Sequence, residues 1–157
     1  MNPTKHDLRD RVAASPDALA AAARAADPLP PAPGEWSPAD IVRHLIAVES
    51  EVWKARLRQL LAMNEPHWES VEPALWEGEP NASLGDLLAI FADLRRTTTA
   101  TIDGLDDSAW TRTGVHATFG RLDVAGLLVR LVDHDEEHIA SLRPSQEAGE
   151  GQRSASR

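Results

Sequence analysis

Three stretches of this chain place apolar residues at intervals of three and four, the period of an amphipathic α-helix. In the first, Ile41, His44, Val48 and Val52 form one stripe with Leu45 beside it, which predicts a helix from Pro38 to about Met63. Its start is explicit. Ser37 is the N-cap, Pro38 takes the first helical position, and Asp40 stands where a capping-box acid belongs. Trp36 before the cap and Ile41 inside it are expected to form a hydrophobic staple. In the second stretch Leu84, Leu87, Leu88, Phe91 and Leu94 follow a Ser83–Asp86 capping pattern. That helix is read through the Thr97–Thr101 run to Ile102, with Gly104 ending it; threonine is a poor helix former, so packing must hold the last turns. In the third, Leu127, Leu131, His134, His138 and Leu142 share a face, and Asp123 can cap a helix from Val124 to about Leu142.

The remaining segments are less periodic. Thr4 to Ala26 is Ala-rich and helical in propensity, and Ser15-Pro16-Asp17 is expected to interrupt it, with a helix restarting there. Asp27-Pro28 to Gly34 is a proline-rich connector. Asn64 to Asn81 carries three prolines with Trp68 and Trp76 and reads as a long irregular loop. Trp110 to Phe119 alternates loosely and suggests an extended or hairpin-like segment. From Pro144 onward the polar composition predicts a disordered tail, leaving one domain over residues 1–143. The whole reads as an all-α four-helix bundle with long connections.

Composition narrows the chemistry. A net charge of −9 argues against a nucleic-acid backbone as partner. The absence of cysteine excludes disulfides, thiolate ligands and a Cys nucleophile, so a bound metal must use His, Asp or Glu. No apolar run reaches the roughly 18 residues that span a bilayer, and no signal-peptide core is visible, so a cytoplasmic location is expected. Arginine in place of lysine and abundant alanine point to a GC-rich bacterial genome.

The informative motif is His134-Asp135-Glu136-Glu137-His138. Two histidines at i and i+4 sit one turn apart on the inward stripe, where an imidazole must find a partner. His44 occupies the inner stripe of another helix, so three imidazoles from two helices converge in the bundle. Three nitrogen ligands leave a position open for water or substrate, the arrangement of a catalytic metal site. By helix angle Glu137 and Asp135 flank that face and either could move protons, with Glu137 the candidate catalytic residue. As a run, Asp133, Asp135, Glu136 and Glu137 otherwise read as a solvated face or as carboxylates orienting the imidazoles. His6, His67 and His116 are expected to be solvated. A zincin motif fits poorly, because Asp135 stands where its Glu belongs and no His follows His138.

Two motifs carry a family resemblance. Gly34-Glu35-Trp36-Ser37-Pro38-Ala39-Asp40-Ile41-Val42-Arg43-His44-Leu45 resembles the entry to the first-ligand helix of the DinB-like superfamily, and Leu127-Leu128 followed by His134-Asp135-Glu136-Glu137-His138-Ile139 resembles its closing helix. The resemblance covers residues 5 to 143 approximately. It implies an up-down-down-up four-helix bundle, with His44, His134 and His138 as a three-His site for a divalent metal, zinc or nickel. It also implies homodimers. Some relatives are S-transferases or isomerases that use a low-molecular-weight thiol such as bacillithiol or mycothiol; others have no known reaction. Relatives often carry a further His just before the last ligand, where this chain has Glu137. The expected function is therefore metal-dependent transfer of a small thiol to an electrophile, with hydrolysis as a metal-based variant. The alternative is a non-catalytic, stress-associated bundle with a structural or vestigial metal. The Asn64–Asn81 loop and the Trp110–Phe119 segment are the expected pocket walls.

Overall fold

The helices begin where side chains can satisfy their first amides. Helices α1 (Lys5–Ala25), α2 (Pro38–Val48) and α4 (Leu84–Asp103) each open on a reciprocal capping box, Thr4 with Asp7, Ser37 with Asp40 and Ser83 with Asp86. Asp123 caps α6 (Val124–Ser141) by accepting from the Gly126 amide. Between α2 and α3 (Lys54–Ala62) the chain keeps turning through a π-helical turn, Glu49–Trp53, so one long helical rod spans 38–62 with a widened turn at its middle. This is the computed structural model of the chain, and it describes residues 2–26, 29 and 31–142. The tail expected from Pro144 lies outside the described residues.

The first helix is not broken at Ser15-Pro16-Asp17. It continues from Lys5 to Ala25 with Pro16 inside it. Proline lacks the amide that would bond the Val12 carbonyl four residues back. The Arg95 guanidinium supplies that bond instead, with Nη1 donating to the Val12 oxygen at 3.0 Å. A partner from another helix thus repairs the defect that the sequence pattern reads as a stop.

Contacts along the rods give their directions. The start of α1 meets the end of α4, where Arg9 pairs with Asp103. Near its C-terminal end Leu19 and Ala23 pack in one cluster with Ile41 and Ile46 of α2, Leu87 and Phe91 of α4, and Leu142 just past α6. At the other end Val12 packs with Val52, Ile102, Val124 and Leu128. Taking α1 as up, α2–α3 and α4 run down and α6 runs up. A parallel pair cannot be joined by a tight turn. The 25-residue rod from α2 through α3 is about 38 Å long, so the connection to α4 must return that distance, which accounts for the long Asn64–Asn81 segment.

That connection is partly ordered by pairing. Its two-residue strand β1 (His67–Trp68) lies parallel to β2 (Thr113–His116), which forms an antiparallel hairpin with β3 (Gly120–Asp123). The Trp110–Phe119 segment is therefore hairpin as expected only from Thr113 on; Trp110 ends a short helix α5, Asp107–Trp110. Gly114 is required there, because a Cβ would lie 2.4 Å from the Trp68 ring. None of the described helices is long and apolar enough to cross a membrane.

Candidate metal centre

The site forms where α2 and the last two turns of α6 face each other. His44, His134 and His138 each offer a ring nitrogen, and these atoms lie within 4.8 Å of one another. The ring centroids of His138 are 4.6 Å from those of both His44 and His134. Nitrogens bound to one tetrahedral zinc lie about 3.3 Å apart, so small side-chain rotations close the set. Helix periodicity put all three on inward stripes, and the fold brings them together.

The surroundings of His44 and His134 favour neutral imidazole, the form that ligates metal. Burial lowers the pKa of His44, as does nearby His138, while Glu72 opposes the shift. For His134 burial, followed by His138, His44 and Arg95, pushes it down to about 4. The donor set also has unused bonding capacity. His44 Nδ1 and His134 Nδ1 are buried without a hydrogen-bond partner, as is Trp53 Nε1 beside them. A buried polar atom without a partner costs about 1–3 kcal/mol, and an unprotonated imidazole nitrogen can meet that need by ligating a cation. The residues present therefore fit a divalent cation.

Two tryptophans complete the surroundings. Trp36 does not act simply as the staple on Ile41. Its ring lies 4.8 Å from His44 and 6.1 Å from His138. A turn at Ala32–Glu35 sets this position, with Pro33 and Gly34 at its centre and Gly34 at φ +87°, a conformation that favours glycine. Trp53 packs edge-on to His134 at 5.8 Å. Trp36, Ile41, Leu142 and His138 line a cleft of about 580 Å³, so of the three imidazoles it is His138 that borders it. Glu35 and His138 are the only ionisable side chains among its described lining. The long connection is tied nearby: Arg43, next to His44, donates to the carbonyls of Trp76, Gly78 and Glu79 at 2.8–2.9 Å.

Several sequence expectations need correction. Glu137 is exposed and does not join the imidazole group. The acidic run is not one solvated face: Glu136 pairs with Arg11 at the surface, but Asp135 is buried against Arg95. Arg95 holds Glu49 through two bonds of 3.1 and 2.8 Å and Asp135 through one of 2.7 Å. Thr98 also donates to Glu49 at 2.6 Å. Burial would lower the Arg95 pKa, but the two carboxylates outweigh it and hold the guanidinium charged. Burial raises that of Asp135 despite Arg95. His116, expected in solvent, is buried, and its Nδ1 accepts the Thr118 and Phe119 amides at 3.0 and 3.3 Å. His6 and His67 are exposed as expected.

The DinB superfamily profile matches residues 4–142. This chain belongs to the DinB superfamily. Among solved structures, YfiT from Bacillus subtilis, described as a probable metal-dependent hydrolase with an unusual four-helix bundle topology, is similar at TM-score 0.69 and 20% identity, over 88% of this DinB chain and 83% of YfiT. TT2238, a four-helix bundle protein, is similar at TM-score 0.60 and 27% identity, over 88% of this chain and 98% of that one. No match among curated proteins reaches significance.

Proposed function

We propose that this protein is a metal-dependent enzyme that transfers a small thiol to an electrophile, with His44, His134 and His138 holding a divalent metal. The observation that carries the reading is three converging imidazoles, two of them with orphaned buried nitrogens and the third, His138, lining a cleft open to solvent. A structural site would be closed by a fourth protein ligand; among the described residues no carboxylate joins the three histidines. Bound there, a divalent metal supplies a Lewis acid that lowers the pKa of a thiol or water within reach.

The chain's own residues do the rest. Burial keeps the His44 and His134 imidazoles unprotonated and available as ligands. Trp36, Ile41 and Leu142 give the cleft an apolar wall suited to the carbon skeleton of an electrophile. Among the described lining no arginine or lysine stands ready to hold a polyanion. Hydrolysis, the activity ascribed to YfiT, would use the same histidines with water in place of the thiol.

The test begins with metal content in untagged protein purified without chelator, beside His44→Ala and His138→Ala. About one zinc or nickel per chain, lost in both variants, followed by thiol-dependent conjugation of a chromogenic aryl halide, is the expected result. Turnover of an aryl ester without thiol would move the assignment to hydrolysis. No metal after reloading would overturn both, leaving the non-catalytic bundle.

A further inference from the structure

Five buried side-chain nitrogen or oxygen atoms among the described residues have no hydrogen-bond partner, and three of them share one cluster of rings: His44 Nδ1, His134 Nδ1 and Trp53 Nε1. The imidazoles, which converge with His138, can be accounted for by a cation. The indole cannot be, since Nε1–H is a donor only and does not ligate a metal. Trp53 is 7% exposed, so its N–H has been taken from water with nothing among the described residues in exchange. In native proteins such an atom calls for a missing partner.

The backbone makes a local departure to put the indole there. On an uninterrupted α-helix, nine residues would carry Trp53 about 180° round from His44. The extra residue in the Glu49–Trp53 π-turn takes out about 100°, leaving Trp53 about 80° from His44 and on its side of the rod. There its ring meets His134 edge-on at 5.8 Å. The turn is pinned from below, where Glu49 is held by Arg95 and Thr98. Single π-turns recur at functional sites because they re-aim one side chain in this way.

We propose that the indole N–H of Trp53 donates a hydrogen bond to the anionic atom that occupies the open position of the three-His centre, a thiolate sulfur under the function proposed above, on which this inference rests. The indole neither titrates near neutral pH nor competes for the metal. It is a fixed donor suited to a negative charge.

The experiment uses full-length, zinc-loaded protein with ¹⁵N-labelled indoles. The Trp53 resonance is assigned by its loss in Trp53→Phe and, independently, by Overhauser contacts to His134. Metal content is measured before any probe is added, so failure of the metal reading is seen first and overturns this proposal with it. Titration with 2-mercaptoethanol is then expected to move the Trp53 indole proton downfield and slow its exchange with water. Trp53→Phe should keep one zinc per chain yet bind the thiol ten- to a hundredfold more weakly, the range for one hydrogen bond to a charged group. Azide serves as a second anionic probe. A response to azide but not to thiol keeps the donor role and removes the thiol. An indole that stays unmoved by either bound anion, or a Trp53→Phe protein that binds both as tightly as the parent, would overturn the proposal.

Discussion

Replacing Arg95 with methionine tests the interior of this bundle. The guanidinium is 1% exposed and makes four hydrogen bonds, three to the carboxylates of Glu49 and Asp135 and one to the Val12 carbonyl. Methionine fills much of the volume and supplies none of the donors. Removing one partner of a buried ion pair costs about 3–5 kcal/mol, because the other charge stays uncompensated. The stranded Val12 carbonyl adds about 1 kcal/mol or more. We expect a loss of about 4–5 kcal/mol, most of the stability of a marginal domain. Urea denaturation of metal-free protein near neutral pH reads it as a lower midpoint at unchanged slope. The pH dependence gives a second signature. Without Arg95 the buried Asp135 carboxyl binds its proton more tightly folded than unfolded, so the variant loses stability as pH rises from the ordinary Asp range near 3.8 toward neutrality. Leucine at both Glu49 and Asp135 in the same background should restore most of the loss. Pro16→Ala gives residue 16 an amide for Val12, so Arg95→Met should cost about 1 kcal/mol less in that background. A loss below about 1.5 kcal/mol, or strict additivity with Pro16→Ala, would refute this account of the network.

Zinc at a hundredfold excess over its dissociation constant should stabilise the parent by about 2.7 kcal/mol, and thermal melts of His44→Ala and His138→Ala should not respond. Arg43→Ala removes three charge-assisted bonds to the carbonyls of Trp76, Gly78 and Glu79, so hydrogen exchange should accelerate through 76–79 while amides of α4 keep their protection. His116 must stay unprotonated at Nδ1 to accept two amides, and burial, then Arg56, lowers its pKa from 6.5. Its stabilising contribution is complete above pH 6.5 and is lost as pH falls toward the depressed folded value. His116→Asn should therefore flatten the decline in melting temperature below pH 6.5 relative to the parent, and an unchanged slope would show that another group dominates.

Much of this architecture is legible in local chemistry. The capping boxes at Ser37 and Ser83 stand where the sequence puts them, and the three histidines were found because imidazole on an apolar stripe is anomalous. The same reasoning could have found the charged network. Phe91, Arg95, Thr98 and Ile102 continue the buried stripe of α4 at spacings of four, three and four, and Glu49 lies four residues beyond Leu45. Yet sequence alone does not single out Arg95 or Glu49, because most charged side chains lie at the surface and only the tertiary partners distinguish the exceptions. The π-turn and the unbroken helix at Pro16 were hidden for a related reason. Both run against local preference and are held by bonds from residues distant in sequence.

The up-down-down-up course also fixes where attachments to this protein would sit. α1 and α6 run in the same direction, so the chain enters α1 at one end of the bundle and leaves α6 at the other. The 21-residue length of α1 separates these points by about 30 Å. The exit is at Leu142, which with Ser141 and His138 lines the cleft. A label, tether or affinity tag fused at the amino end is therefore held far from the imidazoles. One fused after α6 emerges beside them, and a polyhistidine tag there would bring competing ligands to the mouth of the centre it was meant to leave undisturbed.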